Sequence, residues 1–224
     1  MRLTARPGKR ELAEHLRHYA WLYLLVIVLS YGLWNLVYAQ TAYRPPQSAR
    51  VDVYVQSAAG QEQFNAFLEP IWKQSAPGLE LVSAVMLVPP TAAGEYYANV
   101  QLVTYLAARE GDIYMLAAAD FKRLASQGAF LDLGPAVQSG ALDVSGIALE
   151  AGRVKRVFEN EQGETSVSAE DYLFGIPADS LDGFLARANV DNRGMVLSVA
   201  EGSGNRDAAV AFLGALVGST RGGN

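Results

Sequence analysis

Side chains that commonly carry catalysis are unevenly placed along these 224 residues. The chain has no cysteine, and its two histidines, His15 and His18, both precede the uncharged apolar run Trp21–Tyr38. Everything after residue 38 therefore lacks imidazole and thiol. Ser–His–Asp and Cys–His nucleophilic sites need one or the other, as do His- or Cys-ligated zinc sites, so those chemistries are excluded there. Paired carboxylates remain, since glycoside hydrolysis needs only two. The closest pairs, Glu110/Asp112 and Glu170/Asp171, fall at expected element boundaries, where acids cap helices or face water. Glu159, Glu161, Glu164 and Glu170 cluster without the spacing of an EF-hand loop and read as a solvated hairpin turn. Gly202-Ser203-Gly204-Asn205 precedes a helix but lacks both the Walker lysine and the dinucleotide fingerprint, so Asn205 reads as a plain cap. No catalytic residue, metal site or cofactor is expected.

A binding surface is the remaining kind of site, and the elements that would build it are legible in the periodicity. Val51–Val55 alternates as a strand, and Gln61–Gln74 places Phe64, Phe67, Leu68, Ile71 and Trp72 on one helical face. Glu80–Val88 reads as a second strand, Tyr96–Arg109 as a helix, and Asp112–Ala117 as a strand covered on both faces. A short helix over Asp120–Gln127 should close at Gly128. This strand–helix alternation predicts an α/β fold with a mainly parallel sheet. Beyond residue 150, Arg153–Phe158 and Thr165–Tyr172 read as a hairpin, with short strands at Leu173–Pro177 and Met195–Ala200. Asn205–Val217 reads as a last amphipathic helix, and Gly218–Asn224 as a loose tail.

In open α/β sheets, ligands gather beyond the carboxyl ends of the strands. Those ends point to Ser57 and Gln61 after the first strand, Tyr96 and Tyr97 after the second, and Asp120 after the third. Ser57 and Gln61 offer hydrogen bonds beside a helix start. One tyrosine could stack on a sugar-like or apolar ligand while its neighbour faces the core.

The apolar run fixes the compartment. Its 18 residues reach about 27 Å at helical rise, near the thickness of a bilayer's hydrocarbon core. Trp21, Tyr23, Trp34 and Tyr38 lie near its ends, where such rings favour headgroups. Residues 1–20 hold five Lys/Arg against two Asp/Glu, a net of +3, whereas residues after 38 hold 13 against 21, a net of −8. The positive-inside rule then puts the N-terminus in the cytoplasm and residues 39–224 outside. A cleaved signal peptide ending near Val37-Tyr38-Ala39 is the rival reading, and it exports the same residues. The expected organisation is a basic segment (1–20), a transmembrane helix (21–38), a Pro45-Pro46 spacer (39–50), an exported domain (51–217) and the tail. A net of −8 disfavours nucleic acid.

Gly111-Asp112-Ile113-Tyr114, Phe121, and Leu124-Ala125-Ser126-Gln127-Gly128-Ala129-Phe130-Leu131-Asp132-Leu133 resemble segments of bacterial extracellular solute-binding proteins, the binding proteins of ABC importers. Tyr172-Leu173-Phe174-Gly175-Ile176-Pro177 and Met195–Leu216 resemble later strands and the terminal helix of that family, in the same order. Members are usually bilobed, with a second lobe where this chain has only Ala178–Gly194. The resemblance implies a bacterial, single-lobed, membrane-anchored relative, binding a solute as a transport or sensing accessory at the cell surface. One lobe exposes what two would enclose, so a protein-interaction module without a small-molecule ligand is the alternative.

Overall fold

The computed structural model describes residues 9–41, 45–90, 94–159 and 165–221. The expected charged turn at 160–164, part of the spacer (42–44), part of the loop before Tyr96 (91–93), residues 1–8 and the last three tail residues lie outside them. The chain divides into two units, Met1–Arg44 and Pro45–Asn224.

The first unit is one helix, α1 (Lys9–Thr41). It runs well past the apolar segment because no Gly or Pro falls between Lys9 and Tyr31, and Leu, Ala, Glu and Arg propagate a helix readily. Its stretch Arg17–Tyr38 is long and apolar enough to cross a membrane, and none of it is buried within the protein. The His15 ring lies 4.5 Å from Tyr19 and 6.2 Å from Tyr23.

The second unit holds a five-stranded sheet in the order β2 (Leu81–Leu87), β1 (Arg50–Gln56), β3 (Ile113–Ala117), β7 (Met195–Val199), β6 (Ile176–Pro177). β1 pairs in parallel with β2 and β3, while β7 runs antiparallel to both β3 and β6. Four strands thus share a direction and β7 opposes them, so the sheet is mainly parallel as expected.

Period-two alternation sorts each strand between two covered faces. Val51, Val53 and Val55, Ile113 and Met115, and Leu197 and Val199 point to a core built with α2 (Gln61–Ser75) and α7 (Arg206–Thr220). Tyr54, Tyr114, Leu116 and Val196 point to a second core against α3 (Glu95–Ala107) and α4 (Ala118–Ser126), which supply Leu102, Phe121 and Leu124. Both cores draw only on residues 51–217, so the lobe holds its own hydrophobic interior without α1.

Two short helices went unseen in the sequence: α5 (Gly134–Gln138) and α6 (Gly183–Ala188). Each is under two turns, too short for a helical period to emerge. α6 nevertheless brings fully buried Phe184 parallel to Phe64, ring centroids 6.2 Å apart. Asn205 does not cap α7 through its side chain; its amide donates to the carbonyls of Ser48 and Arg50 instead. Gly128 does close α4, at φ +80° with its N–H on Ala125.

The hairpin β4 (Arg153–Glu159) and β5 (Thr165–Leu173) forms its own antiparallel sheet. Its root is set by backbone proximity. A Cβ on Gly152 would stand 1.9 Å from the Gly175 carbonyl oxygen, and one on Gly175 would stand 2.4 Å from Val196 Cγ1 and 2.8 Å from Phe121. Only glycine permits this approach. Gly175→Ala is expected to destabilise the lobe by about 1–3 kcal/mol through overpacking. Urea unfolding with an unchanged midpoint would contradict that reading of the contact.

Candidate functional site

At the carboxyl edge of the sheet, Gln56 ends β1 with only 5% of its surface exposed. A polar group buried this deeply needs partners. Gln56 has them: Oε1 accepts the Ala117 N–H at 2.8 Å, and Nε2 donates to Asp120 Oδ2 at 2.9 Å. The other Asp120 oxygen accepts from Arg123 Nη2 at 3.0 Å, and the same guanidinium nitrogen donates to Asn99 Oδ1 at 2.8 Å. The chain Gln56–Asp120–Arg123–Asn99 therefore fastens the first turns of α4 and α3 to the sheet edge. Asp120 is engaged at both oxygens.

Tyr96 and Tyr97 sit in the first turn of that tethered α3. Both are exposed, at 75% and 73%, with their rings edge to face at 5.7 Å. The expectation that one would face the core is corrected. Ala98 and Leu102 take the inward positions, so the adjacent tyrosines and then Val100 and Val103 fall on the outer side. Ser57 Oγ accepts the Ala59 N–H at 3.1 Å, making a local turn rather than a cap on α2, whose N-cap is Gly60. Gln61 is exposed at the start of α2. Gln56, Asn99 and Arg123 were missed in the sequence; a glutamine ending an otherwise apolar strand was the available signal.

The opposite, amino edge carries the denser polar network. Asp112 Oδ2 accepts the Asp52 N–H at 2.9 Å and Oδ1 accepts the Ser203 hydroxyl at 2.6 Å. Asp52 accepts from Ser83 Oγ at 2.6 Å and pairs with Arg50 at 3.2 Å. A cavity of about 390 Å³ opens here between Arg50, Asp52, Arg109 and Glu110. A second, of about 530 Å³, lies between Arg109 and the 200–206 loop. Arg109 follows α3 at φ +55°, a left-handed position usually given to glycine. Asp112 is spent on the backbone and Ser203, and Glu170 and Asp171 stand exposed on β5.

Below the first cavity, Tyr54 stacks on Tyr114 with centroids 5.2 Å apart, and the Tyr114 hydroxyl donates to the Glu110 carbonyl. Burial, then the nearby Glu110 and Asp52 charges, push Tyr54 up to about 12. Burial, then Tyr54 and Glu110, push Tyr114 higher still. An unfolded tyrosine ionises near 10, so this stabilisation is fully present below about pH 10 and is lost as pH rises beyond it. Phenolate absorbance should show two tyrosines still protonated at about pH 11 in the folded lobe, released together on unfolding. Full ionisation of a folded sample at that pH would refute the buried stack.

No protein-family model matches the chain, and no curated protein matches it. Among solved structures it is similar to an extracellular solute-binding protein family 1 from Alicyclobacillus acidocaldarius subsp. acidocaldarius DSM 446, at 15% identity and a TM-score of 0.40. The match covers 60% of this chain and 29% of that one, so this chain answers to less than a third of that protein's length.

Proposed function

We propose that this chain is a non-catalytic binding protein tethered to the cell membrane. In this reading α1 crosses the bilayer with its N-terminal end cytoplasmic, and residues 45–224 form an extracytoplasmic lobe. The carboxyl edge of the sheet receives a small solute, as an accessory of transport or sensing related to ABC importers. The observation that carries it is the pair of exposed rings, Tyr96 and Tyr97, on a helix held to the sheet by Asp120, Arg123 and Asn99. Rigidly mounted aromatic faces stack on sugar-like or apolar ligands at little entropic cost. Ser57, in the turn after β1, and Gln61, at the start of α2, supply hydrogen bonds, and Asp120 acts by positioning.

A second reading is favoured by a specific feature. Tyr96, Val100 and Val103 form an exposed apolar stripe along α3, at 75%, 47% and 44%. Such a stripe suits a protein partner as well as a solute. Thermal unfolding of residues 45–224 against sugars, peptides and amino acids separates the two, with molar mass measured on the same sample. A raised midpoint with a monomeric mass, lost on Tyr96→Ala/Tyr97→Ala, is expected for a solute site. No shift, with a dimer or larger species, would replace it by the interaction reading.

The topology has its own test. Ser166 is exposed on β5, and the parent chain has no cysteine, so Ser166→Cys gives a single reactive thiol. Labelling by an impermeant reagent in intact cells is expected. Labelling only after lysis would overturn the orientation.

A further inference from the structure

The largest of the cavities described in the lobe lies between α5 and the first turns of α7, beside the end of β7 at the amino edge of the sheet. It measures about 640 Å³, within the range of small-molecule sites. Leu131, Pro135, Val210 and Ala211 give it an apolar lining. The only charged groups lining it are Asp132 and Asp207, and no Lys, Arg or His does. Neighbouring Arg206 is turned to Glu201 at 3.0 Å.

The walls are fixed. The Leu131 N–H is bonded to the Val199 carbonyl at 2.9 Å, which ties the groove floor to the end of β7. α7 is anchored beneath by fully buried Phe212 and Leu213. Asp132 is held by accepting the Gly134 N–H through Oδ1 at 2.9 Å, leaving Oδ2 without a partner among the described residues. Asp207 has no hydrogen-bond or ion-pair partner among them.

We propose that this groove binds a small organic cation, with its ammonium group at Asp132 and Asp207 and its apolar body along Leu131, Pro135 and Val210. Charge complementarity selects this occupant. An anion would meet two carboxylates and no compensating cation, and a neutral apolar molecule would leave both carboxylates unused beside it. The positive end of α7 opposes a cation, but it amounts to about half a charge against two full ones. This site is separate from the carboxyl edge, and its proposal stands or falls independently of the solute reading there.

The test is an amide-resolved NMR titration of residues 45–224, which contain both cores, with three probes of one length: hexylammonium, hexanol and hexanoate. Hexylammonium is expected to bind about tenfold more tightly than either isostere, the size of effect two partly exposed ion pairs support. Its perturbations should fall on residues 131–141 and 207–211. Asp207→Asn, and Asp132→Asn, which retains the acceptor for Gly134, should each remove most of that preference while leaving the unfolding midpoint near the parent's. Equal affinity for hexanol, perturbations centred elsewhere, unchanged binding in both variants, or no perturbation of the groove by hexylammonium would each overturn the proposal.

Discussion

One residue, Asp112, joins the three central strands. Its N–H donates to the Asp52 carbonyl and its carboxylate takes the Asp52 N–H, which locks the entry of β3 to β1. Its carbonyl accepts the Ala200 N–H and its second carboxylate oxygen accepts the Ser203 hydroxyl, fixing the exit of β7 and the loop into α7. A charged acceptor with several donors is worth roughly twice a neutral one, and leaving those donors buried and unpaired costs about 1–3 kcal/mol each. Register follows from this junction. A slip of one residue would exchange Tyr114 and Leu116 with Ile113 and Met115 between two cores of different composition.

With the junction fixed at the amino edge, the geometry of the far edge is determined. From Asp52, β1 carries Gln56 to the carboxyl edge about 13 Å away, at strand rise. There the buried amide needs both a donor and an acceptor, and it finds them in Ala117 and Asp120. The cost of leaving Gln56 unsatisfied therefore holds Asp120 in place, and Asp120 in turn aligns Arg123 with Asn99 on α3. The exposed tyrosines stand in the turn so anchored. Sheet register and tyrosine placement are thus two ends of one hydrogen-bonded path.

The sequence disclosed what depends on long, regular periodicity and concealed what depends on tertiary partners. The order of the large elements was legible because Val51–Val55, Gln61–Gln74 and Asp112–Ala117 each carry several apolar residues in register. The reversal of β7 was not, since Met195–Val199 is apolar but for Ser198 and its pattern carries no direction. The partners of Asp52 were not legible, because alternation marks only the side of the strand and both sides here are covered. Tyr96 and Tyr97 illustrate the converse. A core role for one follows from hydrophobicity, yet Ala98 and Leu102 take the buried positions of α3, with Tyr105 and Leu106 packed beside them. Gln56 was passed over because a glutamine looks like loop until its burial is known.

The first residues of the lobe and the proposed binding edge lie at opposite edges of the sheet. The backbone enters the lobe at Arg50, where Asn205 clasps the carbonyls of Ser48 and Arg50, and that clasp belongs to the amino edge. The carboxyl edge is left to Tyr96, Tyr97, Ser57 and Gln61, none of which is needed to hold the chain's entry. In the proposed reading, affinity comes from surfaces set before a ligand arrives. Both devices seen here are of that kind. The tyrosines are mounted on a pinned helix turn, and the carboxylates of the α5–α7 groove are mounted on elements tied to β7 and to the core.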